Sequence, residues 1–154
     1  MELHYRKAEI ADTELLTKTR IMVLRAVHSL PEDANLDNLT VQSRRYYQRA
    51  LRDGTHTAYL VYDGDRLVGA GGVSYFEVLP TYHNPTGQKA YIMNMYTDPA
   101  CRRRGIARRT LDLLVRDARG RGVTAISLDA TAMGRPLYEA YGFVGMEAEM
   151  ELPE

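Results

Sequence analysis

Apolar residues recur along this chain with two periods, and the changes of period divide it into elements. His4 to Ala8 reads as a short strand. After Asp12, a helix-capping residue type, Leu15, Leu16, Thr19, Met22, Val23 and Ala26 fall on one helical face as far as His28. Ser29 to Asn38 carries Pro31 and several polar residues and reads as a loop, followed by a second helix from Leu39 to Arg52 that Gly54 ends. Two strand-forming runs, Thr57 to Tyr62 and Leu67 to Phe76, flank Asp63-Gly64-Asp65 and predict a β-hairpin. Gly69, Gly71 and Gly72 interrupt its second strand, which predicts a bulge or a backbone approached closely by something else. Leu79 to Lys89 is rich in turn formers and reads as a long loop, and Ala90 to Thr97 as a fourth strand. A third helix spans Gly105 to Gly120, with Leu111, Leu114, Val115 and Ala118 at core spacing. Ala125 to Ala130 is a fifth strand, Arg135 to Tyr141 a short helix and Val144 to Leu152 a last strand. The predicted order is β-α-α-β-β-β-α-β-α-β, an α/β (α+β) chain with a mixed sheet flanked by helices.

Composition narrows the function. The 154 residues suit one domain, residues 1–154, with no linker or repeat to divide it. Lys plus Arg and Asp plus Glu are both 20, so attraction by charge must be local. A single cysteine, Cys101, excludes an internal disulfide and a thiolate-rich metal site. It lacks a neighbouring histidine and reads as a surface thiol. His4, His28, His56 and His83 show no metal-ligand spacing, so no metal is expected. No signal-like or membrane-spanning apolar run is present, and the expected location is cytoplasmic.

One stretch concentrates the positive charge. Five arginines lie between positions 102 and 109, where the fourth strand runs through Met95-Tyr96-Thr97-Asp98-Pro99 into a tight turn and then a helix. A turn opening a helix leaves several backbone N–H groups without intrahelical partners, and the helix dipole adds positive charge there. Such a spot holds phosphate. Arg102 to Arg104 lie in the turn itself. Arg108 and Arg109 read either as anion contacts or as a solvated face, and Arg116, Arg119 and Arg121 as decoration of the exposed helix end.

Here the chain resembles the GNAT acetyltransferase superfamily. The residues that carry the likeness are R-R-R-G-I-A at Arg102 to Ala107, the preceding M-Y-T-D-P, and P-L-Y-E-A-Y-G-F at Pro136 to Phe143, in that order. The resemblance covers Ala90 to the C-terminus well and the hairpin moderately. It implies a sheet that splays between the fourth and fifth strands, with acetyl-CoA (coenzyme A) in the gap. The cofactor residues it implies are Met95, Tyr96 and Thr97, pairing with the pantetheine arm, and Arg102, Arg103, Arg104, Gly105, Ile106, Ala107 and Arg108 about the pyrophosphate. Thr131 stands where relatives carry an asparagine that seats the arm, and Tyr138 also borders the cofactor. A small residue at Gly105 and Ala107 lets the backbone come close.

The implied reaction is attack of an amine on a thioester. The resemblance gives two catalytic groups: the backbone N–H of Met95, as donor to the developing oxyanion, and Tyr138, beside the departing thiolate. A tyrosine pKa near 10 lies above a thiol near 8.5, so full proton donation is uphill by about 2 kcal/mol and strong hydrogen bonding is the safer statement. Tyr141 is assigned to packing. Where relatives often carry Glu or His on the fourth strand, this chain has Tyr91 and Met93, neither a good base. Glu77, Asn94 and Asp129 are candidate partners for a substrate ammonium or a relay water. Tyr75, Phe76, Tyr82, Tyr91 and Met93 can line a partly apolar acceptor pocket.

The expected function is an acetyl-CoA-dependent N-acetyltransferase of a small-molecule amine. A protein or peptide amine is the variant, and a non-catalytic acyl-CoA sensor the alternative. Neutral overall charge, and no aromatic residue within the basic run, argue against a nucleic-acid partner. No membrane partner is expected. The last strand and the exposed sheet edge can pair two chains as a homodimer, as in similar proteins.

Overall fold

A computed structural model describes residues 2–154. The hairpin signal closes as expected, with Gly64 at φ +61° in its turn. In chain order the elements are β1 (Leu3–Lys7), α1 (Thr13–Val27), α2 (Asp37–Asp53), β2 (His56–Asp63), β3 (Arg66–Glu77), β4 (Gln88–Thr97), α3 (Ile106–Gly120), β5 (Ala125–Leu128) and α4 (Arg135–Tyr141). The sheet runs β1-β2-β3-β4-β5, antiparallel through β4 and parallel between β4 and β5.

One face of the sheet packs on α3 and α4 through Val73, Ala90, Ile92, Leu111, Leu114, Val115 and Tyr138. The other packs on α1 and α2 through Leu16, Tyr47, Ala58, Leu60 and Ala70. Fully burying each leucine contributes about 2 kcal/mol. Both readings of the β3 glycines hold. The register slips between Ala70 and Gly72, so that Asn94 and Met95 together stand against Gly71. A Cβ on Gly71 would lie 2.7 Å from Met95 Sδ and 2.8 Å from Thr110 Cγ2, so its absence lets α3 lie close on the sheet.

Asp117 fixes the far end of α3. It accepts hydrogen bonds from Thr57 Oγ1 at 2.9 Å and from the Tyr75 hydroxyl, and it pairs with Lys7 and Arg121. Arg121 also lies 3.9 Å over the Tyr75 ring, so it does more than decorate the helix end. Burial raises the Asp117 pKa, but the two hydroxyl donors and the two cations outweigh it, and the carboxyl sits below its ordinary range.

Three expectations need correction. Val144 to Leu152 forms no strand: Val144, Met150 and Leu152 are 86%, 93% and 94% exposed. Alternating apolar residues supply one face of a strand but no ladder, and β5 offers an edge of only four residues. Met22 lies outside the core, while Thr13 and Thr17 are buried, because hydroxyls bonded to Ile10 and Thr13 carbonyls satisfy themselves locally. Asp12 does not cap α1 through its side chain. It accepts from the Glu9 N–H at 2.7 Å and pairs with Arg6.

His56, 6% exposed, lies over Gly72, where a Cβ would meet its Nε2 at 2.8 Å. Ser74 Oγ donates to Met93 Sδ, so it accepts from the Tyr46 hydroxyl at 2.6 Å, and the Tyr46 oxygen in turn accepts from His56 Nδ1–H at 2.8 Å. That order leaves His56 Nε2 as a buried, unpartnered lone pair. Burial, with Arg20 nearby, lowers the His56 pKa to about 4. Between that value and 6.5 the unfolded chain binds the extra proton, so stability is full above pH 6.5 and falls as pH drops through this window. The expected loss between pH 7 and pH 5 is about 2 kcal/mol. Urea unfolding at both values should show it in the native chain and not in His56→Gln, and an equal loss in both would refute it.

Candidate functional site

The parallel ladder between β4 and β5 begins at Lys89 and Ala125 and ends at Ile92 and Leu128. β4 continues to Thr97, so Met93 to Thr97 have no β5 partner among the described residues. This is the gap between the fourth and fifth strands that the resemblance implies. The Asn94–Met95 bulge, with Asn94 at φ +60°, sits where the strands part.

Beyond Thr97 the chain makes one 3-10 turn, Pro99–Cys101, in which Asp98 accepts from the Ala100 N–H at 2.9 Å and pairs with Arg66. Arg102 is extended, Arg103 is left-handed at φ +64°, and Gly105 is left-handed at φ +78°. The Arg109 N–H is bonded to the Gly105 carbonyl, so the N–H groups of Ile106, Ala107 and Arg108 precede the first helical bond. Left-handed residues at the start of a helix turn successive N–H groups into a concavity suited to an anion. A Cβ on Gly105 would meet no atom within 4 Å, so backbone conformation rather than crowding demands glycine there, and the space above the turn is open.

The arginines of this turn divide. Arg102, Arg103 and Arg104 are exposed around the concavity. Arg108 lies 5.3 Å over the Tyr141 ring and Arg109 lies 6.0 Å over Tyr5, so both also serve to hold aromatic neighbours. Cys101 is not a surface thiol. It is 4% exposed, packed with Val61, Val68 and Ile106, because the 3-10 turn points it under α3.

Tyr138 is buried on α4 against the Phe143 ring, 6.1 Å away. Burial raises its pKa above 10. Its hydroxyl makes no hydrogen bond to the described residues, and the residue lines a cavity of about 580 Å³ formed by the end of α3, β5, α4 and residues 142–149. Thr131 Oγ1 accepts from the Gly134 N–H at 3.1 Å, so its oxygen closes the turn into α4. Tyr141 donates to Asp112 at 2.8 Å and packs against Phe143.

On the α1–α2 face the sequence candidates separate into pairs. The Tyr91 hydroxyl donates to Asp129 Oδ2 at 2.6 Å, and burial and that carboxylate push the phenol up to about 12. Asn94 accepts through Oδ1 from Arg20 Nη1 at 3.2 Å. Met93 accepts the Ser74 hydroxyl. Glu77 lies elsewhere, paired with Gln88 at the start of β4. Tyr82 is 92% exposed in the β3–β4 loop and lines nothing, and Phe76 is half exposed beneath Lys89. Sequence reasoning missed Arg20. Its signal was a cation four residues after Leu16 and three before Val23, on the stripe of α1 that faces the sheet.

Residues 24–143 match the model of a family described as the acetyltransferase (GNAT) family. In sequence the chain is similar to an uncharacterized N-acetyltransferase, YsnE, of Bacillus subtilis (strain 168), with 31% identity over 98 residues, 60% of this chain. The match spans 59% of that relative's length. In structure it is similar to a predicted acetyltransferase with acetyl-CoA from Clostridium acetobutylicum, at a TM-score of 0.89 and 32% identity over 99% of this chain and 96% of that one. A GCN5-related N-acetyltransferase from Ralstonia eutropha gives a TM-score of 0.85 and 27% identity, covering 99% of each chain.

If backbone strain rather than space governs position 105, Gly105→Asn should destabilise less than Gly105→Ala, although asparagine is the larger residue. Alanine in a left-handed turn costs about 1 to 2 kcal/mol, and asparagine tolerates it. Urea unfolding of the two variants checks the ranking, and the opposite order would mean that the turn is crowded.

Proposed function

This chain belongs to the acetyltransferase (GNAT) family, and we propose that it moves an acetyl group from acetyl-CoA to the primary amine of a small molecule by direct attack. The observation that carries this reading is the open, left-handed turn at Arg103 and Gly105, set beside a β4 segment that has lost its neighbour. The residues present suit acetyl-CoA on that ground. The N–H concavity fits a pyrophosphate, and nothing crowds the space over Gly105. Met95 to Thr97 offer a strand edge to an amide-bearing arm. When bound, acetyl-CoA supplies an activated thioester.

The chain's own groups do the rest. The Met95 N–H donates to the carbonyl oxygen as negative charge builds there. Tyr138 donates a hydrogen bond to the departing sulfur. Burial has moved its pKa further above that of a thiol, so it holds its proton and stabilises the thiolate by hydrogen bonding rather than by full transfer. Asp129, with Tyr91 already bonded to it, offers the carboxylate that receives the acceptor's ammonium and takes its proton through water. A small acceptor suits the few polar groups, Asn94, Tyr91 and Asp129, that gather about β4.

Free-thiol release from acetyl-CoA over a panel of primary amines tests the reading. Tyr138→Phe should lower kcat by roughly a hundredfold, with acetyl-CoA affinity by calorimetry little changed. Wild-type activity in that variant would remove Tyr138 from the chemistry. Gly105→Asn, close to native in stability, should weaken acetyl-CoA at least about tenfold by filling the space over the turn. Unchanged affinity would place the pyrophosphate elsewhere.

A further inference from the structure

The sheet-facing stripe of α1 is apolar or locally satisfied except at one place. Thr13, Leu16, Thr17 and Val23 are buried along it, and Arg20 falls among them, half buried. Its Nη1 donates to Asn94 Oδ1, and the guanidinium forms no ion pair with any described carboxylate. Its Nε and Nη2 donors have no partner among the described residues. These two N–H groups form the edge of a guanidinium that a carboxylate fits with two parallel hydrogen bonds. The charge acts on its surroundings: it helps to lower the pKa of His56, and it opposes the burial that raises that of Tyr47. Neither Nε nor Nη2 is sealed from solvent, so an anion from outside can reach this edge.

Asn94 also holds Arg20 in register with the site. The bulge that turns Asn94 to φ +60° is where β4 leaves β5. Three residues back along β4, Tyr91 holds Asp129. At roughly 3.3 Å per residue, the backbone positions of Asn94 and Tyr91, which hold the cation and the carboxylate, are about 10 Å apart along the strand. One end of the acceptor face is positive and the other negative. A polyamine would set a second cation against Arg20, and a neutral amine would leave Arg20 without a counter-ion.

We propose that Arg20, steadied by Asn94, binds a carboxylate of the acceptor, so that the substrates are small amino-carboxylates whose amine lies toward Asp129. This rests on the acetyltransferase reading above and specifies its acceptor.

The test is thiol release with matched pairs: amino acids of increasing amine-to-carboxylate separation, such as glycine, β-alanine and γ-aminobutyrate, each beside its carboxamide. The native chain should favour at least one acid over its amide by roughly ten- to a hundredfold in kcat/KM. Arg20→Gln should erase the preference through KM, Arg20→Lys should keep part of it, and acetyl-CoA binding by calorimetry should be the same in all three. Amides used as well as acids, or a preference that survives Arg20→Gln, overturns the proposal. If no amine turns over, calorimetry of the same acids with the coenzyme A-loaded protein decides it: binding abolished by Arg20→Gln supports the carboxylate seat, and no binding overturns it. A native chain that binds no acetyl-CoA sinks the acetyltransferase reading and this one together.

Discussion

Two parallel strands that begin in register and then part must leave a stretch of backbone with donors and acceptors and no neighbour. In this protein β4 and β5 part after Ile92 and Leu128, and the rest of the site is arranged around that separation. The bulge at Asn94 and Met95, accommodated by the missing side chain of Gly71, bends β4 away. β4 stays bonded to β3 there, so what lies open is its other edge, whose donors and acceptors call for water or a ligand. The fold supplies an approach from one face through the turn before α3, and from the other through the polar groups beneath α1.

The helix that follows the arginine turn is held at its opposite end. Asp117 ties the last turns of α3 to β1, β2 and β3 through Lys7, Thr57 and Tyr75, and Arg121 reinforces it. This division of labour leaves the backbone N–H groups that open α3 outside the helix's own bonding, where its dipole adds positive charge. Near the turn Arg102 and Arg103 stand exposed, whereas Arg116 and Arg135 each pair with a carboxylate on their own helix.

Much of this was legible in the residues. Asp63-Gly64-Asp65 announced the hairpin, Arg135 to Tyr141 bounded α4, and the turn at Arg102 to Ala107 stood out by charge and by a glycine whose φ of +78° now gives its reason. What escaped depended on contacts between distant segments. Alternation alone suggested a strand at Val144 to Leu152, but pairing needs an edge long enough to accept it. Cys101 read as exposed because its neighbours in sequence are arginines, whereas its neighbours in space are Val61, Val68 and Ile106. Arg20 drew no expectation from the sequence, because only the packing of α1 turns it toward β4.

The burial of Cys101 beneath the arginine turn has a practical use. A thiol reagent added to the native protein reaches this sulfur only when the 3-10 turn and the start of α3 lift from the sheet together. The rate of its modification therefore clocks the opening of that corner. In assays that count liberated thiols, the protein's own sulfur will stay silent for as long as the corner is shut.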